Sequence, residues 1–150
     1  MVKLFGQKLN GSMLTLTDIT KSFTRQRVLE GVSLQVQAGE SLAVMGPSGS
    51  GKSTLLHCMS GVLTPDSGEV VFDGTNIAAL DDAARSKLRL NHFGFIFQDG
   101  QLLPELTATE NVALPQIMRG TSRKEAHEQA DDMLTRLGLG NFTNRFPGQL

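Results

Sequence analysis

Gly46-Pro47-Ser48-Gly49-Ser50-Gly51-Lys52-Ser53 sets three glycines, a lysine and a terminal hydroxyl within eight consecutive positions. That combination suits a chain of phosphates. Several negative charges in a small volume call for many donors, and consecutive backbone N–H groups in a tight loop supply them, with the dipole of a following helix added. Glycines at 46, 49 and 51 permit unusual dihedrals and a close backbone approach. Lys52 is positioned to reach the β- and γ-phosphates, and the Ser53 hydroxyl to ligate Mg²⁺. Thr54, the next residue, is placed to contact the α-phosphate. An ordinary Gly/Ser loop needs neither the lysine nor the hydroxyl at those offsets, so the motif points to a nucleoside triphosphate with Mg²⁺.

Such a loop must be held between a strand and a helix. Ser41–Met45 is a short apolar run that predicts the incoming strand, and Gly51–Ser60 predicts the outgoing helix, with Gly61 as its stop. Upstream, Leu14, Leu16 and Ile19 among threonines predict a strand, Arg25–Leu29 a second, and Val32, Leu34 and Val36 alternate as in a half-buried third. Ala38-Gly39-Glu40 reads as a turn. Downstream, Pro65–Gly68 is a turn signal, Glu69–Phe72 a strand, and Asp73-Gly74 a hairpin pair. Asp81-Asp82 predicts a helix cap, the helix running to Leu90. Phe93–Phe97 predicts another strand. From Leu102 the signals are helical: Thr107 with Glu110 and Ser122 with Glu125 have capping-box spacing. Ala126, Ala130, Met133, Leu134 and Leu137 recur at helical spacing before Gly138, and Pro115 predicts a kink or split in the first of these helices. The fold class is therefore α/β, with residues 1–12 a lead-in, 13–100 the phosphate-binding core and 101–150 a helical piece.

Composition narrows the class. The chain has 150 residues, 39% hydrophobic and 19% charged, which suits a globular domain with a real core. Its formal net charge is -1 and no basic stripe is visible, so nothing supports a nucleic-acid partner. No apolar run approaches the roughly 20 residues of a membrane span. Cys58 is the only cysteine, which excludes an intrachain disulfide, and its apolar neighbours predict a buried, inert thiol. His57, His92 and His127 lack metal-ligand spacing. Asp81-Asp82 and Asp131-Asp132 read as capping and surface carboxylates, not as an acid/base pair.

The loop alone does not choose among ATPases and GTPases. Its flanks do. Val28–Leu34, Ala38-Gly39-Glu40, Leu63–Val70 with Asp73-Gly74, Phe95-Ile96-Phe97-Gln98, Leu102-Leu103-Pro104 and Thr109–Val112 together resemble the nucleotide-binding domain of ABC transporters, from residue 14 to 150. The resemblance implies a P-loop core followed by a helical subdomain, with ATP and Mg²⁺ as ligands. It implies that Phe23, where the family usually carries tyrosine, stacks on adenine; the alternative is a rim phenylalanine. It implies that Gln98 is the Q-loop glutamine, helping to hold Mg²⁺ or place the attacking water and reporting nucleotide state to the helical subdomain. Leu80–Pro104 is similar to the exporter group of lipoprotein-release, macrolide-export and antimicrobial-peptide ATPases. That group implies a membrane permease as partner, with Gln101–Asn111 the contact stretch, and a second ABC domain facing the first. It places the protein in the cytoplasm, peripheral on the inner face of the cell membrane.

The family's signature motif should begin at Leu150. The catalytic glutamate, the second Mg²⁺-holding aspartate and the switch histidine should lie beyond it. The 150-residue chain is thus expected to bind ATP and Mg²⁺ through Phe23, Gly46, Pro47, Ser48, Gly49, Ser50, Gly51, Lys52, Ser53, Thr54 and Gln98. It is also expected to turn over little ATP, although the parent protein would be an ATPase in which Lys52 and Gln98 serve catalysis. The competing readings are a soluble ABC ATPase and a non-catalytic nucleotide-binding fragment.

Overall fold

The computed structural model describes residues 13–24, 26–96 and 100–150. The chain divides between Phe95 and Ile96 into two compact units.

The first unit is built on a four-stranded antiparallel sheet of order β2-β1-β3-β4, with β1 Met13–Phe23, β2 Gln26–Gln37, β3 Ser67–Phe72 and β4 Thr75–Asn76. Inward positions alternate as a half-buried sheet requires. Leu14 pairs with Val36 on one side and Phe72 on the other; Leu16 pairs with Leu34 and Val70. The alternation then slips by one residue, and a bulge between Leu16 and Ile19 explains why Ile19, not Asp18, is buried. Asp18 takes the positive φ of the bulge, and its N–H donates to Ser33 Oγ at 2.9 Å.

The helix α1, Lys52–Met59, packs on this sheet and buries Leu55, Cys58 and Met59 against Leu14, Leu16, Ile19, Leu29 and Val70. It ends as Gly61 predicts: Gly61 N–H donates to Cys58 O at 3.1 Å and Val62 N–H to His57 O at 2.9 Å, a Schellman pair. The Asp73-Gly74 hairpin forms, both residues at positive φ. The helix α2, Asp82–His92, is capped by Asp81, whose Oδ1 accepts from Ala84 N–H at 2.8 Å. Arg89 on α2 donates to Gly61 O at 2.7 Å, tying α2 to the end of α1.

Three expectations about strands need correction. Arg25–Leu29 and Val32–Val36 are not separate strands; from Gln26 to Gln37 they form the single strand β2. Ser41–Met45 is not a strand, apart from one bridge at Leu42, and Met45 is 88% exposed. Residues 93–96 are not a strand either, and Ile96 is exposed. In both stretches the composition suits a strand, but a strand exists only where a neighbouring backbone completes the ladder. The pairings of the sheet join β1 to β2, β1 to β3 and β3 to β4. Phe93 packs its ring on Phe72, centroids 5.0 Å apart.

The second unit pairs α3, Ala108–Met118, with α4, Arg123–Arg136. The Thr107/Glu110 capping box is complete in both directions: Thr107 N–H donates to Glu110 Oε2 at 2.8 Å, and Glu110 N–H to Thr107 Oγ1 at 3.3 Å. At the second cap, Ser122 Oγ accepts from Glu125 N–H at 3.3 Å. Pro115 does not split α3. It stands one turn from the helix end and removes a single donor from the ladder. Ala126, Ala130 and Leu134 face inward with Ala113, but Met133 and Leu137 are exposed, so the buried stripe is narrower than the apolar spacing implied. Thr109 is buried and donates its hydroxyl to Asp131 on α4.

No helix among the described residues is long and apolar enough to cross a membrane.

Candidate functional site

The loop from Gly46 to Gly51 bends back on itself, with Ser50 N–H donating to Pro47 O at 3.3 Å. Lys52, the first residue of α1, folds into that bend. Its Nζ donates to Gly46 O at 2.9 Å and Pro47 O at 2.7 Å, with Ser50 Oγ at 3.5 Å. Among the described residues no carboxylate pairs with it. A cation whose partners are only carbonyl and hydroxyl dipoles remains available to a polyanion. Ser53 is exposed and Thr54 half-buried on the first turn of α1. Gly51 is the N-cap and carries no side chain, so no side-chain cap occupies the N–H groups of that turn. A first turn without a side-chain cap, a helix dipole and an ammonium therefore meet at one loop, a set that fits a phosphate chain.

The loop is fixed to the sheet at Gly51. A Cβ there would lie 2.9 Å from Val28 Cγ1, 2.9 Å from Val28 O and 3.2 Å from Leu29 Cδ2, and the residue sits at φ +87°. Glycine is needed on both counts. Leu29 pairs across the ladder with Lys21 of β1, two positions before Phe23. The phosphate loop and Phe23 thus share one β-hairpin. Phe23 ends β1 and is 45% exposed, and Lys21 Nζ lies 5.9 Å from its ring centroid. A ring this exposed at a strand end is open to stacking from outside.

Lys21 is itself held, in a way that sequence spacing did not reveal. Its Nζ donates to Asp66 Oδ1 at 2.8 Å and to Thr64 O at 2.8 Å, and Asp66 Oδ2 accepts from Ser22 N–H at 2.7 Å. The Lys21 hydrogen bond, followed by that of Ser22, holds the Asp66 carboxyl below its usual range. More than 40 residues separate the partners, so no local spacing points to the pair.

Gln98 lies outside the described residues. Cys58 is buried at the centre of the α1 interface, and burial pushes its thiol pKa up. Among the described residues no cluster of three or more His, Cys, Asp or Glu could hold a metal ion.

The sequence profile described as ABC transporter matches residues 29–150. The lipoprotein-releasing system ATP-binding protein LolD of Bacteroides thetaiotaomicron is 43% identical over 138 residues, covering 92% of this chain and 63% of that protein. LolD of Cereibacter sphaeroides is 46% identical over 143 residues, covering 92% and 64%. The macrolide export ATP-binding/permease protein MacB of Marinobacter nauticus is 43% identical over 142 residues, covering 92% of this chain and 22% of that one. Among solved structures, the dimeric post-hydrolysis state of the ATP-binding cassette MJ0796 bound to ADP and Pi superposes with a TM-score of 0.85 at 37% identity, covering 91% and 62%. The chain thus spans a little under two thirds of the length of the LolD relatives it matches.

Proposed function

This chain belongs to the ABC transporter family, and on that premise we propose that its loop binds ATP with Mg²⁺ for a subunit that couples ATP hydrolysis to export through a membrane permease. The observation that carries the reading is Lys52 seated on the carbonyls of Gly46 and Pro47 at the uncapped start of α1. The loop N–H groups and Lys52 would hold the phosphates, Ser53 and Gln98 the Mg²⁺, Thr54 the α-phosphate, and Phe23 the adenine ring. Residues 13–100 would form the ATP-binding core and 101–150 part of the helical subdomain. MJ0796, a cassette solved as a dimer, supports a second copy as the facing partner.

The permease would meet the stretch Gln101–Asn111. Leu102 and Leu103 are each 46% exposed there. Asn111 pins the stretch: Leu103 N–H donates to its Oδ1 at 2.8 Å, and its Nδ2 donates to Leu103 O, Leu106 O and Thr107 O at 3.0–3.1 Å. The protein would then lie on the cytoplasmic face of the membrane.

Isothermal titration of the chain with ATP, with and without Mg²⁺, tests the core of this reading. Binding should strengthen with Mg²⁺ and weaken at least about tenfold in Lys52→Ala, the loss of one charge-assisted contact of roughly 1.5–3 kcal/mol. Mg²⁺-independent binding, or a Lys52→Ala variant with unchanged affinity, would contradict it.

A further inference from the structure

We propose that the Lys21–Asp66 pair is a positioning device that sets the angle of the Phe23 ring toward the base of a bound nucleotide, an inference that rests on the nucleotide reading above. The two residues directly before Phe23 are both fastened to one carboxylate. Asp66 takes the Lys21 ammonium on Oδ1 at 2.8 Å and the Ser22 N–H on Oδ2 at 2.7 Å. Lys21 also reaches Thr64 O at 2.8 Å, and Asp66 N–H donates to Thr20 O at 2.9 Å. The end of β1 is thereby tied at consecutive residues to the segment that follows α1.

The tie has a mechanical reason. Toward Phe23 the β1–β2 ladder is irregular, with register shifts on both sides of Lys21, and Thr24 beyond it stands at positive φ. An irregular hairpin end holds a ring poorly by itself. The fastening supplies what the ladder lacks, and it anchors Phe23 to the turn at the end of the same helix whose first turn faces the phosphates. Lys21 Nζ, 5.9 Å from the ring centroid, adds a second constraint on the ring's face. Phe23 has no hydroxyl with which to fix its own orientation, so the backbone and Lys21 must do it.

A ring held by its neighbours affects the base and leaves the phosphates alone. The test titrates the chain with ATP and, separately, with inorganic tripolyphosphate, both with Mg²⁺. Base stacking on an aromatic ring is a contact whose partial loss is worth about fivefold in affinity. Asp66→Asn and Lys21→Met should each raise the ATP Kd by about that factor and leave tripolyphosphate within about twofold. Lys21→Arg should retain ATP affinity. In a Phe23→Ala background Asp66→Asn should change neither ligand, since no ring remains to be positioned. If Asp66→Asn fails to fold, the Lys21→Met and Lys21→Arg pair carries the test. Equal weakening of ATP and tripolyphosphate would overturn the proposal, since the pair would then be supporting the unit as a whole. So would an unchanged ATP to tripolyphosphate ratio, or a persisting effect without the Phe23 ring. A wild-type chain that binds neither ligand sinks the nucleotide reading itself, and this proposal with it.

Discussion

Gly51→Ala is the substitution on which the geometry makes its sharpest demand. The residue sits at φ +87°, where an L side chain costs roughly 1–2 kcal/mol. Its new Cβ would also meet the Val28 carbonyl oxygen and Val28 Cγ1, each at 2.9 Å. The carbonyl lies in β2 between Arg27 and Leu29, which both pair with β1, and Leu29 is buried, so neither yields cheaply. Overpacking of this kind costs roughly 1–3 kcal/mol, for a total of roughly 2–5 kcal/mol. Gly49→Ala is the control: φ is +78° but nothing lies within 4 Å of the new Cβ, so only the backbone cost remains. Urea unfolding should place Gly51→Ala below Gly49→Ala by about the overpacking cost, 1–3 kcal/mol. Alternatively α1 relieves the clash by lifting its first turn off β2, and tripolyphosphate affinity falls instead. Val28→Ala in the Gly51→Ala background should recover only part of the loss, because the carbonyl contact remains. Identical stability and identical tripolyphosphate affinity in Gly51→Ala and Gly49→Ala would refute the contact.

Thr107→Ala should destabilise the second unit by about 1 kcal/mol, the usual worth of an N-cap hydroxyl, read by chemical denaturation. The Thr107 N–H and then its hydroxyl hold the Glu110 carboxyl below its usual range. With the native pKa depressed, the box contributes fully above the ordinary glutamate range, about 4.3, and is lost as pH falls through the lower native value. Glu110→Gln should flatten that part of the acid unfolding curve, and a curve unchanged by the substitution would contradict the assignment. Cys58, buried and with its thiol pKa raised by burial, should resist an aromatic disulfide reagent at pH 8 in the folded chain and react fully in denaturant. Rapid labelling of the folded chain would show that α1 opens readily.

Much of the fold was legible because its signals are local. The Thr107/Glu110 box, the Asp73-Gly74 hairpin, the Asp81 cap and the Gly61 stop each rest on residues within a turn of one another, and each forms. Ser41–Met45 and Phe93–Phe97 were legible only as composition. Whether an apolar run becomes a strand depends on a second backbone, which no local pattern encodes. Met133 and Leu137 failed differently. Their helical spacing is real, but α3 offers α4 mainly Ala113, Val112 and Ile117, and so narrow a partner covers only Ala126, Ala130 and Leu134. In the candidate site, the helix that follows the loop and its glycine stop were readable from the sequence. The loop's attachment to Val28 and the Lys21–Asp66 tie were not, because both are contacts between segments far apart in sequence.

These long-range attachments separate the two ends of a bound nucleotide physically. Gly51 fixes the phosphate donors to Val28 and Leu29 near the start of β2, and Asp66 fixes the ring to the end of β1, so the same hairpin serves both through different residues. Damage at Gly51 displaces α1's first turn and should weaken ATP and tripolyphosphate in parallel, because both ligands use those N–H groups. Damage at Asp66 leaves that turn in place and should weaken ATP alone. The ratio of the two affinities therefore locates a perturbation within the site, independently of how much stability the variant loses. A Gly51→Ala chain that lost ATP but kept tripolyphosphate would place the glycine's contact under the base and not under the phosphates, and the assignment of α1's first turn as the phosphate cradle would fall.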